Sequence, residues 1–203
     1  MSHILQKPTT IDAAQTYPLW LALHGAYDHA EQVIRLFGKE ALTHNAYLLA
    51  PQASRPCGDG FCWSFARDAA NIKALLTQVR ETEPIDESQL ALIGFSMGCT
   101  MACWVLAQHP QYFTTFTALS MGSAFEPWEL DDGGIDLAGM RHSAEHTRTL
   151  LAVDQRDPYG SADYFAANRD QLQGLGFQVK TLQPHHGVHD VTDEMKEAFL
   201  RHL

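Results

Sequence analysis

Short apolar runs alternate along the chain with stretches of helical spacing, and this alternation restricts the fold more than any other feature of the sequence. The pattern predicts six strands, at residues 19–24, 47–50, 90–94, 116–121, 149–153 and 177–182. It predicts helices at residues 28–42, 66–82, 97–109, 159–175 and 192–202. Apolar strands alternating with helices are typical of a mostly parallel sheet covered on both faces. The predicted fold class is therefore α/β, a three-layer αβα sandwich around a central sheet of about six strands.

The length of 203 residues, 45% of them hydrophobic, fits a single domain over residues 1–203 with its own core. One long irregular stretch interrupts the pattern at residues 122–142, which include Phe125, Trp128 and the pair Gly133-Gly134. Loops of this length in a small domain are often functional. We interpret the stretch either as a solvated surface excursion or as a small cap beside a pocket.

Charge excludes two classes of partner. Lys and Arg number 14 against 24 Asp and Glu, which gives a formal net charge of −10. A broad basic surface for nucleic acid or for anionic membrane is therefore not expected. No segment approaches 18 consecutive apolar residues, and the first ten residues lack the apolar run of a secretory signal. These features predict a cytoplasmic protein without membrane insertion.

The four cysteines, at positions 57, 62, 99 and 103, do not have the spacing of a zinc site. Cys99 and Cys103 lie four residues apart on a predicted helix, where we expect small apolar side chains that pack in the core. Cys57 and Cys62 share a Gly-containing loop. We interpret most of the cysteines as free thiols and leave a Cys57–Cys62 disulfide open.

The residues Gly94-Phe95-Ser96-Met97-Gly98 stand between a predicted strand and a predicted helix. Gly-x-Ser-x-Gly in this setting is typical of a sharp turn that projects the serine hydroxyl from the edge of a sheet. The glycines remove side chains that would collide in so tight a bend. We predict that Ser96 is a nucleophile, with an idle serine in a structural turn as the alternative.

A serine nucleophile needs a histidine base and an acid to orient that base, in the chain order Ser, Asp, His. Asp154 and Asp157 follow the fifth predicted strand, and we choose Asp157 because it lies farther beyond the strand end. Its alternative role is the N-cap of a helix, since Pro158 follows it.

Three histidines, His185, His186 and His189, follow the last predicted strand. We choose His189 as the base because Gly187 lets the loop turn its ring back over Ser96. Their spacing is not that of a helical His-x-x-x-His ligand pair, so no metal is predicted.

The negative charge that develops on an ester carbonyl needs two N–H donors. The amide of Met97, next to the nucleophile at a helix start, is one candidate. The amide of Ala26 is the other, because His24-Gly25-Ala26 forms the turn after the first predicted strand.

Together these motifs resemble the alpha/beta hydrolases, and within them the small phospholipase/carboxylesterase group that includes acyl-protein thioesterase-like enzymes. His24-Gly25-Ala26-Tyr27-Asp28 is similar to the group's His-Gly-x-Gly-Asp turn, with Tyr27 in place of a Gly. Ala50-Pro51-Gln52 leading to Trp63 is similar to its Ala-Pro loop. The resemblance implies a triad of Ser96, Asp157 and His189, with the amides of Ala26 and Met97 as the oxyanion hole.

The expected function is hydrolysis of a small-molecule carboxylic ester or thioester through an acyl-enzyme on Ser96, with no cofactor. The aromatic residues expected to line the substrate pocket, unless they belong to the core, are Tyr27, Phe61, Trp63, Phe125, Trp128 and Tyr159. Acyl transfer or perhydrolysis by the same triad is an alternative, and so is a non-catalytic binding or interaction protein on a hydrolase fold. The sequence predicts neither the natural substrate nor the oligomeric state.

Overall fold

The alternation of strands and helices produces a seven-stranded sheet in the computed structural model, which describes residues 1–123 and 134–203. The strands within those residues are β1 (His3–Gln6), β2 (Tyr17–Leu23), β3 (Tyr47–Pro51), β4 (Arg55–Cys57), β5 (Gly60–Cys62), β6 (Ile85–Phe95), β7 (Thr115–Leu119), β8 (Arg148–Ala152) and β9 (Gln178–Leu182). The helices there are α1 (Ala30–Thr43), α2 (Phe65–Thr82), α3 (Met97–Gln108), α4 (Leu137–Ala144), α5 (Ala162–Gly174) and α6 (Asp193–Leu200).

The strand order of the sheet is β1-β3-β2-β6-β7-β8-β9. Every neighbouring pair from β3 to β9 is parallel, whereas β1 pairs antiparallel with β3. From β2 the chain first crosses to β3 on one side and later returns to β6 on the other. The carboxyl ends of β2 and β6 therefore meet at a point where the strand order reverses. Open α/β sheets bind ligands at such points.

The core has two halves, one on each face of the sheet. Along β2, Leu19, Leu21 and Leu23 belong to one buried cluster and Trp20 and Ala22 to the other, as the two-residue period of a strand requires. Buried side chains of α2, α3, α4 and α5 complete the first cluster, and those of α1 and α6 complete the second. The sheet is thus covered on both faces, which confirms the predicted three-layer α/β fold.

Three strands were not predicted from the sequence because they lack a long apolar run. β1 adds a seventh strand at the sheet edge, where its four residues are exposed or half-buried and gave no apolar pattern. β4 and β5 are three residues each and form an antiparallel hairpin inside the predicted loop. Strand β6 also begins earlier than predicted, at Ile85. The early part was missed because three consecutive exposed residues interrupt the apolar pattern of the strand.

The irregular stretch predicted at residues 122–142 is only partly described. Residues 124–133, which include Phe125 and Trp128, lie outside the described residues. The end of the stretch enters α4, where Met140 is buried and the Ser143 hydroxyl donates a hydrogen bond of 2.7 Å to the carbonyl of Leu106 in α3. This end therefore packs on the sandwich. The single domain with a cap remains a prediction.

The cysteines divide into a bonded and a free pair. Cys57 and Cys62 form the disulfide that the sequence left open, and it joins β4 to β5. The interpretation of most cysteines as free thiols is therefore wrong, since two of the four are bonded. Cys99 and Cys103 are free and fully buried on α3. Burial raises the pKa of both thiols, to about 12 for Cys103. They pack as small apolar side chains, as expected.

Candidate active site

Ser96 stands alone between β6, which ends at Phe95, and α3, which begins at Met97. Its backbone has φ 52° and ψ −121°, a conformation that costs a non-glycine residue of the order of 1–3 kcal/mol. The Ser96 N–H donates to the carbonyl of Leu119 in β7 at 3.0 Å, and the Ser96 carbonyl accepts from the N–H of Cys99 at 2.9 Å. The strained turn is therefore held by a neighbouring strand and by the first turn of the helix.

Close packing explains both glycines of the motif. A Cβ atom on Gly94 would lie 2.6 Å from the Cα of Cys99. A Cβ atom on Gly98 would collide with the carbonyl oxygen of Leu23 at the end of β2. Since both obstacles are backbone atoms, neither can move aside easily. Gly94 thus lets the end of β6 lie against the first turn of α3, and Gly98 lets that turn lie directly against β2.

His189 lies in the segment between β9 and α6, and its ring faces the serine. Its Nε2 is 2.9 Å from the Oγ of Ser96, and its Nδ1 is 2.8 Å from the Oδ2 of Asp157. An ionised carboxylate only accepts hydrogen bonds, so the proton of the neutral ring is on Nδ1 and Nε2 accepts from the serine hydroxyl. The rings of Phe95 and Tyr159 contact the imidazole, with centroids 5.3 and 4.9 Å away.

Asp157 is buried and has its own fixed partners. Its Oδ1 accepts hydrogen bonds from the backbone N–H groups of Tyr159 and Gly160, at 2.8 and 2.9 Å. Asp157 is not the N-cap of α5, because Ser161 caps that helix with its own side chain. The structure thus brings Ser96, His189 and Asp157 into one hydrogen-bonded row.

Asp154, the other carboxylate after β8, connects two loops beside the site. Its buried carboxylate accepts from the backbone N–H groups of Arg156, His186 and Gly187, at 2.5–2.9 Å. Burial alone would raise the pKa of Asp154, but these three hydrogen bonds and the nearby His186 ring lower it below its ordinary value. Asp154 therefore ties the loop after β8 to the loop that carries His189. Sequence reasoning missed this role, since spacing alone does not distinguish it.

The other two histidines of the loop point elsewhere. His185 Nδ1 lies 3.0 Å from the Oε1 of Gln155, and His186 lies 3.6 Å from the carboxylate of Glu194. The only group of three potential metal ligands among residues 1–123 and 134–203 is the exposed set His142, Glu145 and His146, which does not line the serine cavity.

Both predicted oxyanion donors line the cavity over Ser96. Met97 is the first residue of α3, so its N–H has no acceptor within the helix. The N–H of Ala26 has no hydrogen-bond acceptor among residues 1–123 and 134–203. A Cβ on Gly25 would lie 3.3 Å from the Cβ of Ser96, so this turn passes close to the serine.

His24 supports the turn that carries Ala26, a role that the sequence analysis missed although His24-Gly25 was noted. Its Nε2 accepts from the N–H of Ala53 at 3.1 Å, so its Nδ1 carries the proton and donates to the Gly25 carbonyl at 2.7 Å. Burial lowers the pKa of His24, which keeps the ring neutral. The Trp63 ring packs against this ring at a tilt of 32°, and its Nε1–H donates to the His24 carbonyl at 2.8 Å.

The aromatic residues predicted to bind substrate fall into four groups. Tyr27 and Tyr159 line the cavity and are 67% and 69% exposed. Trp63 also lines it but is only 1% exposed, so most of its ring belongs to the core. Phe61 packs against the ring of His29 outside the lining. Phe125 and Trp128 are not among the described residues.

Tyr27, which stands where the resembled motif has a glycine, has a glycine-like backbone. Tyr27 has φ 61°, the left-handed conformation in which glycine is favoured. The tyrosine therefore adopts the backbone for which the family's glycine is suited. Its carbonyl lies against Gly60 of the hairpin, where a Cβ would collide with it.

The cavity has a volume of about 900 Å³ and opens over the serine. Besides the residues already named, its lining includes Arg55, Arg67 and Tyr164, which sequence reasoning missed. Isolated exposed arginines carry no pattern that marks them as pocket residues. A cavity of this size holds a small or medium-sized ligand.

The sequence model of the alpha/beta hydrolase fold family matches residues 51–198. The chain belongs to this family. No curated protein sequence matches the chain. None of the helices within residues 1–123 and 134–203 has the length and apolar character needed to cross a bilayer.

Solved structures of similar fold include two carboxylesterases and a thioesterase. The carboxylesterase of Mesorhizobium loti is 18% identical, with a TM-score of 0.74 over 91% of this chain and 87% of that one. The Bacillus cereus carboxylesterase is 16% identical, with a TM-score of 0.74 over 100% and 93%. Zea mays acyl-protein thioesterase 2 is 19% identical, with a TM-score of 0.72 over 98% and 96%. At these identities the likeness concerns the fold.

Proposed function

We propose that the protein is a serine hydrolase that cleaves carboxylic esters or thioesters through an acyl-enzyme on Ser96. The observation that carries the proposal is the unbroken row of hydrogen bonds from Ser96 Oγ through both ring nitrogens of His189 to Asp157. A serine hydroxyl is a weak nucleophile unless a base takes its proton. This row supplies the base and the acid that orients it.

In the proposed reaction, Ser96 Oγ attacks the carbonyl carbon while its proton moves to Nε2 of His189. The imidazolium that forms is stabilised by the Asp157 carboxylate. The carbonyl oxygen becomes an oxyanion and accepts hydrogen bonds from the N–H groups of Ala26 and Met97, each typically worth about 3 kcal/mol of barrier.

Collapse of the tetrahedral intermediate breaks the bond to the leaving group, which takes the proton from Nε2 of His189. A water molecule then gives its proton to the same nitrogen and attacks the acyl carbon of the ester on Ser96. The second collapse returns the proton to Ser96 Oγ and releases the acid. Protein groups perform every step, so the proposal includes no cofactor.

Carboxylesterases and an acyl-protein thioesterase among the structures of similar fold support this choice of reaction class. A small-molecule substrate is part of the proposal, as is a cytoplasmic location. Disulfides are rare in that compartment because thiol reductants act there. Under this proposal Cys57 and Cys62 would spend part of their time as thiols.

Labelling with a fluorophosphonate tests the proposal, because the reagent needs an activated serine. We expect mass spectrometry to locate the label on Ser96 and not on Ser123, which also lines the cavity but has no imidazole hydrogen-bonded to it among the described residues. The same protein should release p-nitrophenol from short-chain esters. If neither labelling nor turnover occurs, the non-catalytic alternative is favoured.

A further inference from the structure

Two arginines stand in the lining of the cavity above Ser96. Arg55 belongs to β4 of the hairpin, Arg67 belongs to the first turn of α2, and both side chains are exposed. No Asp or Glu lines this cavity within residues 1–123 and 134–203. The chain has 24 acidic residues and 14 Lys and Arg, so the described part of this lining has the opposite charge to the chain as a whole.

Neither guanidinium group is neutralised within the described residues. Three other arginines form ion pairs with carboxylates, namely Arg80 with Glu87, Arg169 with Asp170 and Arg201 with Glu197. Arg55 and Arg67 have no ion pair and no side-chain hydrogen bond to residues 1–123 or 134–203. As far as these residues are concerned, both guanidinium groups are open to a ligand.

The backbones beside the two arginines are clamped by one buried carboxylate. Asp68 follows Arg67 in α2, and its Oδ2 accepts from the N–H of Ser54, next to Arg55, at 3.1 Å. The same oxygen accepts from the N–H of Ser64 at 3.0 Å. Asp68 is fully buried, so it fixes the backbones near the arginines without forming an ion pair with either.

We propose that the substrate carries an anionic group, a carboxylate or a phosphate, which Arg55 and Arg67 bind while its ester or thioester carbonyl lies at Ser96. This inference rests on the proposed hydrolase function. The planar guanidinium forms paired hydrogen bonds to such anions. Because the chain as a whole is strongly acidic, an anionic substrate is favoured only near the arginines, which fixes its orientation.

Matched pairs of substrates test the inference. The pair p-nitrophenyl hydrogen glutarate and p-nitrophenyl valerate places a carboxylate, or none, on the acyl side. The set 4-acetoxybenzoate, 4-acetoxyphenyl phosphate and methyl 4-acetoxybenzoate places a carboxylate, a phosphate or no charge on the leaving group. The measured quantity is the ratio of kcat/KM for the anionic substrate to that for its neutral counterpart.

We expect at least one of these ratios to exceed one in the wild-type protein and to fall about 10- to 100-fold in Arg67→Gln and in Arg55→Gln. Arg67→Glu should lower it further. Arg35→Gln is the matched control, since Arg35 is an exposed arginine of α1 outside the cavity, and it should leave the ratio unchanged. The substrate whose kcat/KM ratio falls most in the arginine variants shows whether the anion is a carboxylate or a phosphate. It also shows whether the anion lies on the acyl side or on the leaving group.

A measurement on the wild-type protein avoids dependence on the folding of variants. The preference for the anionic substrate should decline as NaCl is raised from ~20 mM to ~500 mM, because salt screens exposed charges. A salt-independent ratio near one, together with an unchanged ratio in Arg67→Gln, overturns the inference.

Failure of the inference is distinguishable from failure of the proposed function. If Ser96 is labelled and neutral esters are cleaved without any effect of the arginines, only the anion site is wrong. If Ser96 is not labelled and neither kind of ester is cleaved, the hydrolase proposal is wrong and the inference falls with it.

Discussion

The floor and the rim of the cavity differ in how firmly their side chains are held. On the floor, Ser96, His189 and Asp157 have mutual hydrogen bonds of 2.8–2.9 Å, and Asp157 is buried. On the rim, Tyr27 and Tyr159 are mostly exposed, and the arginines have no ion pair within the described residues. A fixed floor suits a reaction that is the same for every ester. An open, unpaired rim suits the selection of a particular one.

Substitutions on the floor should therefore affect the rate, and those on the rim should affect preference and stability. The largest effect is expected for Ser96→Ala and His189→Ala, each of which should lower kcat by about 10⁴-fold or more. Since the two residues act as one unit, the double variant should be no slower than either single variant. Additive losses in p-nitrophenyl ester hydrolysis would contradict a shared mechanism.

Asp157→Asn and Asp154→Asn compare two carboxylates on one loop. Asp157→Asn should lower kcat by about 10³- to 10⁴-fold, because an amide no longer holds the proton on Nδ1 of His189. Asp154→Asn should instead lower the free energy of unfolding by about 2 kcal/mol at pH 7, since a charged acceptor for three backbone N–H groups is lost.

The effect of Asp154→Asn should depend on pH. The pKa of Asp154 is lowered in the folded protein, so its ionised form stabilises the fold above the ordinary value of 3.8. This contribution is lost as the pH falls through the folded-state pKa. The difference in urea midpoint between wild type and variant should therefore shrink from pH 7 towards pH 3. A constant difference would show that the charge of Asp154 has no part in it.

The disulfide between Cys57 and Cys62 closes the hairpin of β4 and β5, which carries Arg55 on the rim. The hairpin that it closes also contacts the turn before α1, where the N–H of Phe61 donates to the Asp28 carbonyl at 3.1 Å. Cys57→Ser/Cys62→Ser should lower the free energy of unfolding by up to about 2 kcal/mol, the value for so short a loop. We expect kcat to fall less than about tenfold, because Ala26 is also held from the β2 side.

Reduction of the wild-type protein with dithiothreitol is the check on this pair, and it should reproduce the double serine variant in chemical denaturation. A fall in kcat of much more than about tenfold would mean that the catalytic residues depend on the hairpin more than the geometry indicates.

The smallest effect is expected for Tyr27→Gly on the rim. Glycine relieves the left-handed backbone at φ 61°, a gain of up to about 1 kcal/mol, and the exposed ring loses little burial. Asparagine, which tolerates this conformation, should recover part of the gain. Urea denaturation of Tyr27→Gly and Tyr27→Asn measures both, and a clear loss of stability in the glycine variant would contradict the assignment of strain.

Much of the floor was predictable from the sequence because each of its residues follows a strand that could be recognised. The strands before Ser96 and before Asp157 have continuous apolar runs, and the last strand before His189 alternates apolar with polar residues, so the carboxyl ends of all three could be aligned. The roles of these residues remain predictions. The rim was not predictable in the same way, since Arg55 lies in a three-residue strand without an apolar pattern.

Side chains that hold loops were also missed, for a physical reason. His24, Asp68 and Asp154 act through hydrogen bonds to backbone atoms that are distant in the sequence. No spacing rule relates such a side chain to its partners, and only the folded chain shows them. Trp63 was predicted to line the pocket, but most of its ring is buried in the core. The residue type alone does not show how much of a tryptophan ring is buried.

The pairing of β2 with β6 has a consequence for how this family member can vary. Leu23 and Gly94 are partners on adjacent strands, and Ala26 and Met97 each follow three residues later. The two predicted oxyanion donors therefore lie at equal distances along the chain from one pair of facing residues. An insertion or deletion of one residue in either turn would displace one donor by about 3 Å relative to the other. In the course of evolution, the equal length of these two turns should therefore be kept, in addition to Ser96 itself and the sterically required Gly94.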